Sequence, residues 1–366
     1  MFQFLLIFIT IVSVLGWNNE YGFSLVKHRQ NDKNKYIICI LFLFCLAAFR
    51  TSTVGNDTKT YIEIFKNCKY LIQSEASRFE IGYLYYNYVL FKITSEPRIL
   101  LFVTSAICFL CYGIFMWRYS KSPKLALVFF FLIAFGSTMN TMRQCMAICV
   151  LLFAVDRIIE RKYIRFVLIV LFASLFHISA ILFLIVLPLS FIRINVKTLT
   201  YYTIGALTAY FMFAELLKIG FSYFSMYEYY SDGKYFEGDT RLASIIKLSF
   251  SLIILFIGYY VYKKNTSQVW KISLDGRRYH IFLMLQILAV IIDFLSLKVN
   301  LLDRLDMYFT ALSFVLISNA IQLMPIRRRN FIIVSLLTLY VSYSCVVINY
   351  RSEWNRIYPI ELSWSL

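Results

Sequence analysis

The chain has 366 residues, of which 60% are hydrophobic and 16% charged, with a formal net charge of +17. A soluble domain carries roughly 25% charged residues, so this composition excludes an ordinary soluble fold and makes a bilayer the solvent for most of the chain. Among long apolar runs, the excess of Lys and Arg reads as an orientation signal for a membrane protein and excludes a nucleic-acid footprint.

In chain order, apolar segments fall near 2–17, 36–49, 97–117, 124–137, 141–156, 165–176, 178–192, 199–218, 241–262, 280–297, 305–324 and 331–348. The first, MFQFLLIFITIVSVLGW, lacks a basic leader and a small-x-small cleavage site, so it reads as a retained span. Segment 81–95, short and rich in tyrosine, reads as interfacial or re-entrant. The expected fold is all-α: a polytopic integral membrane protein with about 12 transmembrane helices plus that short helix. It forms a single transmembrane domain over 1–366, with a GT-C-like glycosyltransferase architecture left open. The basic connections 24–35, 118–124, 157–165, 193–197, 263–278 and 326–330 share one side when twelve spans alternate. The positive-inside rule makes that side cytoplasmic, which puts both termini and the loops near 50–80 and 219–240 outside. Of the eight cysteines most lie in apolar runs and only Cys68 looks loop-borne, with no CxxC or Cys/His cluster. Reduced thiols and no metal site are expected.

Several polar residues on the expected outer face call for more than orientation. Arg50 ends the second span and is followed by Gly55-Asn56-Asp57-Thr58, a turn with Asp57 as a candidate helix cap or acid. Glu80 precedes the tyrosine-rich segment; partial desolvation there is expected to raise its pKa toward a general-base range. Arg143-Gln144 begins an otherwise apolar helix, where an arginine either snorkels or faces a polar cavity. His177 and Ser179 lie in the turn between two short spans, with packing as the plain alternative. Asp303 and Asp306, at an i, i+3 spacing with Arg304 between them, share a helical face or form a local salt bridge. Arginines at the mouth of an outer cavity suit pyrophosphate, which a guanidinium binds bidentately, and a nearby carboxylate can deprotonate a sugar hydroxyl. No P-loop, GxGxxG, HExxH or DxD signal is present, which argues against a nucleotide-driven or metal-dependent machine.

These residues resemble the motifs of the EpsG family, the Wzy-like polymerases of bacterial exopolysaccharide, capsule and O-antigen synthesis. Arg50 with Gly55, Asp57 and Tyr61 is similar to the family's Arg then Gly-x-Asp-x-x-x-Tyr loop. Glu80, Gly82, Tyr83 and Asn87 match Glu-x-Gly-Tyr and a following asparagine. Arg143, Gln144 and Ala147 match Arg-Gln-x-x-Ala, while Phe176, His177, Ser179 and Ala180 match Phe-His-x-Ser-Ala. Arg304 before Tyr308-Phe309, and Tyr358-Pro359, complete the series.

The resemblance implies a glycosyltransferase in the bacterial cytoplasmic membrane, its site facing outward. It would join repeat units carried on undecaprenyl pyrophosphate, with lipid-linked oligosaccharides as both donor and acceptor and no cofactor. A chain-length regulator and a flippase are the further partners implied. In this frame Arg50, Arg143 and Arg304 bind pyrophosphate, and Gln144, Tyr83 and Ser179 line the substrate site. Glu80 or Asp57 serves as base, with His177 positioning phosphate or sugar. A flippase for the lipid-linked unit, an O-antigen ligase and a membrane acyltransferase are the rival functions.

Overall fold

The computed structural model describes residues 1–18, 22–23, 32–74, 79–212, 242–265, 273–354 and 356–364. The expected outer loop 219–240 lies outside the described residues. The fold is all-α apart from a two-residue antiparallel ladder in which Trp17 and Asn18 pair with Phe23 and Gly22. The chain forms two compact units, one of Met1–Leu182 with Ser318–Leu366 and one of Phe183–Ile317.

The first unit contains α1 (Phe2–Gly16), α2 (Asp32–Ala48), α3 (Thr58–Lys66), α4 (Cys68–Gln73), α5 (Ile81–Ile93) and α6 (Arg98–Tyr119). It continues with α7 (Pro123–Ile133), α8 (Phe135–Asn140), α9 (Met142–Ile159) and α10 (Tyr163–Ser174). Pro123 opens α7, where its missing N–H costs nothing, and every residue from Pro123 to Phe131 is buried. A helix apolar all round belongs in an interior, and α7 is the hub of this unit. A tight turn with Arg161 at φ 61 folds α10 back from α9. Phe166, Val170 and Ala173 of α10 are buried at helical spacing. At the start of α2 and α7, buried Asp32 and Lys124 pair at 2.9 Å, so neither charge is left alone in the core.

The second unit begins in a 3-10 segment (Ile178–Ile185 overall) leading into α11 (Val186–Leu189), then α12 (Val196–Phe211). α13 (Leu242–Lys264) and α14 (Leu274–Ser296) follow, and α14 buries an unbroken run from Ile281 to Ala289. A 3-10 turn (Asn300–Arg304) and α15 (Met307–Thr310) precede α16 (Ser313–Gln322), which leads back to the first unit. There α17 (Ile326–Tyr350) buries only Ile333, Leu336 and Tyr340, the pattern of a helix whose remaining apolar surface meets lipid.

The expected twelve transmembrane helices are corrected by helix length. Among the described residues four helices are long and apolar enough to cross a membrane: α6, α13, α14 and α17. A fifth span results if Leu302–Thr310 and Ser313–Gln322, bent by 44°, count as one. Phe2–Gly16, Pro123–Ile133, Tyr163–Ser174 and Ile178–Leu189 are apolar but short. A helix rises 1.5 Å per residue, so roughly 20 residues are needed to cross about 30 Å of hydrocarbon. Apolar runs recognise lipid-compatible sequence, whereas continuity of the helix decides spanning, and turns and 3-10 geometry break these runs. The GT-C-like architecture falls with that count, and alternation over twelve spans no longer sets sidedness.

The C-terminal segment is tied to the loop after α2. Thr51 N–H donates to Glu361 O at 2.8 Å, Gly55 N–H to Arg356 O at 2.8 Å, and Ser363 N–H to Phe49 O at 2.8 Å. Asn56 Nδ2 donates to Trp354 O at 2.6 Å. Gly55 has φ +89, a left-handed conformation that glycine adopts without strain. A side chain there would also meet Asn140 Oδ1 at 2.9 Å.

Candidate active site

Glu80 immediately precedes α5, Arg143 is the second residue of α9, and His177 follows α10. An apolar cluster including Tyr61, Phe65, Tyr83, Leu100, Met142 and Met146 packs α3, α5, α6 and α9 together beneath them. The first turn of α5 presses on the turn after α10. Tyr83 N–H donates to Leu175 O at 3.2 Å. A Cβ at Gly82 would fall 2.6 Å from that same carbonyl oxygen. Glycine at this position therefore permits a backbone approach that brings Glu80 to His177.

The Glu80 carboxylate accepts three hydrogen bonds. Arg143 Nη1 donates to Oε2 at 2.5 Å, His177 Nδ1 lies 2.8 Å from Oε1, and Ile178 N–H donates to Oε1 at 3.1 Å. The Arg143 guanidinium also rests over the Phe79 ring, 5.2 Å from its centroid. The side chains of Glu80, Arg143 and His177 are 12%, 22% and 25% exposed, so the cluster is sheltered yet open to a ligand. Burial alone would raise the Glu80 carboxyl, but the His177 hydrogen bond and the Arg143 charge outweigh it and hold the pKa at about 2. The expectation of a raised, base-like Glu80 is thus corrected: desolvation acts as anticipated, and the His177 hydrogen bond together with the Arg143 charge overcomes it.

Because the carboxylate is ionised and has no proton to give, His177 donates Nδ1–H to it. This fixes the tautomer and leaves Nε2 as the ring atom able to accept a proton. Arg143 Nε has no hydrogen-bond partner among the described residues. With 22% of its side chain exposed, the carboxylate-positioned Arg143 guanidinium can hold an anion beside a carboxylate-oriented imidazole.

The other expected residues are placed as follows. Asp57 occupies the N-cap position of α3 but makes no side-chain cap bond. One turn on, Tyr61 feels the charges of both Arg143 and Asp57, and burial pushes its hydroxyl up to about 12, so it remains a neutral donor. Tyr83 is fully buried, edge-on to Tyr61 with ring centroids 6.0 Å apart. Gln144 is buried on α9 and Ser179 half-buried in the 3-10 segment. Arg304 is exposed at the end of its 3-10 turn and belongs to the second unit.

Arg50 is only 1% exposed and does not line an open mouth. It donates to Ala47 O, to Met139 O at 3.2 Å and to Met142 Sδ at 3.4 Å, bracing the end of α2 against α8 and α9. Arg98, which sequence reasoning passed over, donates to Ala48 O and Arg50 O at 3.0 and 2.7 Å. Its position directly after Pro97, at the first turn of a long apolar helix, was the available signal. The Ile178 amide and the Leu175 carbonyl are backbone contributions that side-chain patterns do not carry.

Fold and site together define a multi-pass, all-helical membrane protein with a guanidinium–carboxylate–imidazole cluster in its larger unit. The EpsG family model matches residues 33–362, and the chain belongs to the EpsG family. Comparison with curated proteins and with solved structures finds no match.

Proposed function

We propose that the protein is a Wzy-like polysaccharide polymerase. It would join undecaprenyl-pyrophosphate-linked oligosaccharide repeat units at the extracytoplasmic face of the bacterial cytoplasmic membrane. Membership of the EpsG family and the membrane-embedded helical fold support the polymerase class. The observation that carries the reaction is the Glu80–Arg143–His177 cluster, which combines an anion anchor with an oriented proton acceptor.

In this reading, Arg143 binds the pyrophosphate of the donor and stabilises the charge that grows on it as the glycosidic C–O bond breaks. His177 Nε2 takes the proton from the acceptor hydroxyl, whose oxygen forms the new bond to the anomeric carbon. Undecaprenyl pyrophosphate departs with the bonding electron pair. Glu80 keeps both partners in place and compensates the imidazolium that forms. Asp57 is the other acid within electrostatic reach, and Tyr61 is a neutral donor beside it.

The distribution of charge along individual helices supports an outward-facing site. Arg143 opens α9, whereas the far end of α9 is tied to that of the spanning helix α6 by Asp156, which pairs with Arg118 at 3.1 Å, and the following turn carries Arg161 and Lys162. Arg98 opens α6, whose far end carries Arg118 and is followed by Lys121. Under the positive-inside rule these far ends are cytoplasmic.

The direct test is Arg143→Ala in a cell that depends on this protein for its polymer. The variant is expected to insert at normal levels, to abolish long polymer and to leave single repeat units. Polymer of ordinary length from a normally expressed variant would overturn the site. Purified protein given lipid-linked repeat units alone is expected to elongate them without any nucleotide sugar.

A further inference from the structure

The second unit holds a cluster that the reaction above does not use. Lys247 of α13 points among Asp293 of α14, Asp303 of the 3-10 turn and Asp306 beside α15. Its Nζ lies 2.8 Å from Asp306 Oδ2 and 3.4 Å from Asp293 Oδ1, and it also bonds Asp303 Oδ1 and Asp303 O, the latter at 3.3 Å. One carboxylate oxygen from each aspartate can be chosen so that all three lie within 4.8 Å of one another.

The charges in this cluster do not balance. Among the described residues Lys247 is the cation paired with these carboxylates, and it offsets one of the three. Asp293 and Asp306 are each 1% exposed. Yet Asp293 Oδ1 has the Lys247 ammonium at 3.4 Å without a formed hydrogen bond, and among the described residues Asp293 Oδ2 and Asp306 Oδ1 have no hydrogen-bond partner. Burying carboxylates without compensation costs several kcal/mol each. A structural ion pair would match its charges and satisfy its oxygens, and among the described residues this cluster does neither.

We propose that Asp293, Asp303 and Asp306 bind one divalent cation of the Mg2+, Mn2+ or Ca2+ class, with Lys247 as the resident counter-charge. Three hard oxygen donors suit such an ion. Its two charges neutralise what Lys247 leaves, which a single proton would not. The oxygens without partners are the ones available to it, and the Asp303 side chain, 47% exposed, opens the site to water. The cluster lies toward the first turns of α13 and the last turn of α14. That end is away from Lys263, Lys264, Arg277 and Arg278, so local repulsion does not oppose the ion. This inference goes beyond the polymerase reading and stands or falls separately from it.

The test uses full-length protein in nanodiscs, stripped with EDTA and titrated with Mn2+ by electron paramagnetic resonance and thermal melting. One Mn2+ per chain is expected, displaced by Mg2+ or Ca2+, with a melting temperature that falls on stripping and recovers on addition. Asp303→Asn, the mild change at a half-exposed position, should weaken Mn2+ binding about tenfold or more, and Asp306→Asn at least as much. Lys247→Gln should tighten it, because a competing cation is removed; a purely structural lysine would give lower stability with no gain in binding. Three results overturn the proposal: no Mn2+ bound and identical melts with and without EDTA, binding that both aspartate variants leave unchanged, or stability that follows pH alone.

Discussion

Glu80 draws its partners from far along the chain, Arg143 lying 63 residues away and His177 97. With its carboxyl held at about 2 against an ordinary 4.5, the folded state binds this proton more weakly than the unfolded state does. The stabilisation is therefore complete above about pH 4.5 and disappears as pH falls from there through about 2. A shift of that size corresponds to at most about 3 kcal/mol. Glu80→Gln is expected to lower the melting temperature at pH 7 and to flatten its decline across that acid window. Melts of both proteins from pH 7 to pH 3 check this, and parallel curves would count against the ion-pair account. Arg143 and Arg50 illustrate two fates of a membrane-embedded arginine. One is held by a carboxylate at a half-open site, and the other is consumed by backbone carbonyls within the protein.

At the scale of elements, the site depends on two helix starts and one turn meeting at backbone distance. The first turn of α5 can touch Leu175 only because residue 82 has no side chain. Gly82→Ala would place Cβ 2.6 Å from a carbonyl oxygen and 2.7 Å from Leu175 Cβ, so α5 or the turn after α10 must shift. Overpacking of this kind costs about 1–3 kcal/mol. The expected outcome is an inserted protein with a lower melting temperature and a larger fractional loss of polymerisation than of expression. Wild-type activity in Gly82→Ala would show that the close approach does not position Glu80. The short helices follow the same logic. Breaks near Ala134 and Thr141 start α9 one residue before Arg143, which puts the guanidinium at a helix N-terminus facing Glu80.

Over the whole molecule, the first turns of the spanning helix α6 pack beside the site through Leu100 and Leu101, whereas Arg118, Lys121 and the basic α9–α10 turn lie toward its far end, and this polarity predicts orientation. With exposed Cys45 replaced by Ser, Lys162→Cys is expected to react with a membrane-impermeant thiol reagent only from the cytoplasmic side, and Lys69→Cys only from outside. Labelling of both from one side would reverse or abolish the assigned polarity. The amino-acid sequence by itself determined the membrane as solvent, the helical class and the EpsG membership. It also singled out Glu80, Arg143 and His177 as candidates, because composition and short motifs are local properties. It did not determine how many runs become unbroken spanning helices, since a 3-10 turn such as 178–185 is as apolar as a spanning helix. Nor did it determine the protonation of Glu80 or the burial of Arg50. A carboxylate's proton affinity depends on the distance to cations that are remote in sequence, and an arginine's exposure depends on what packs over it. Only the tertiary structure sets those distances.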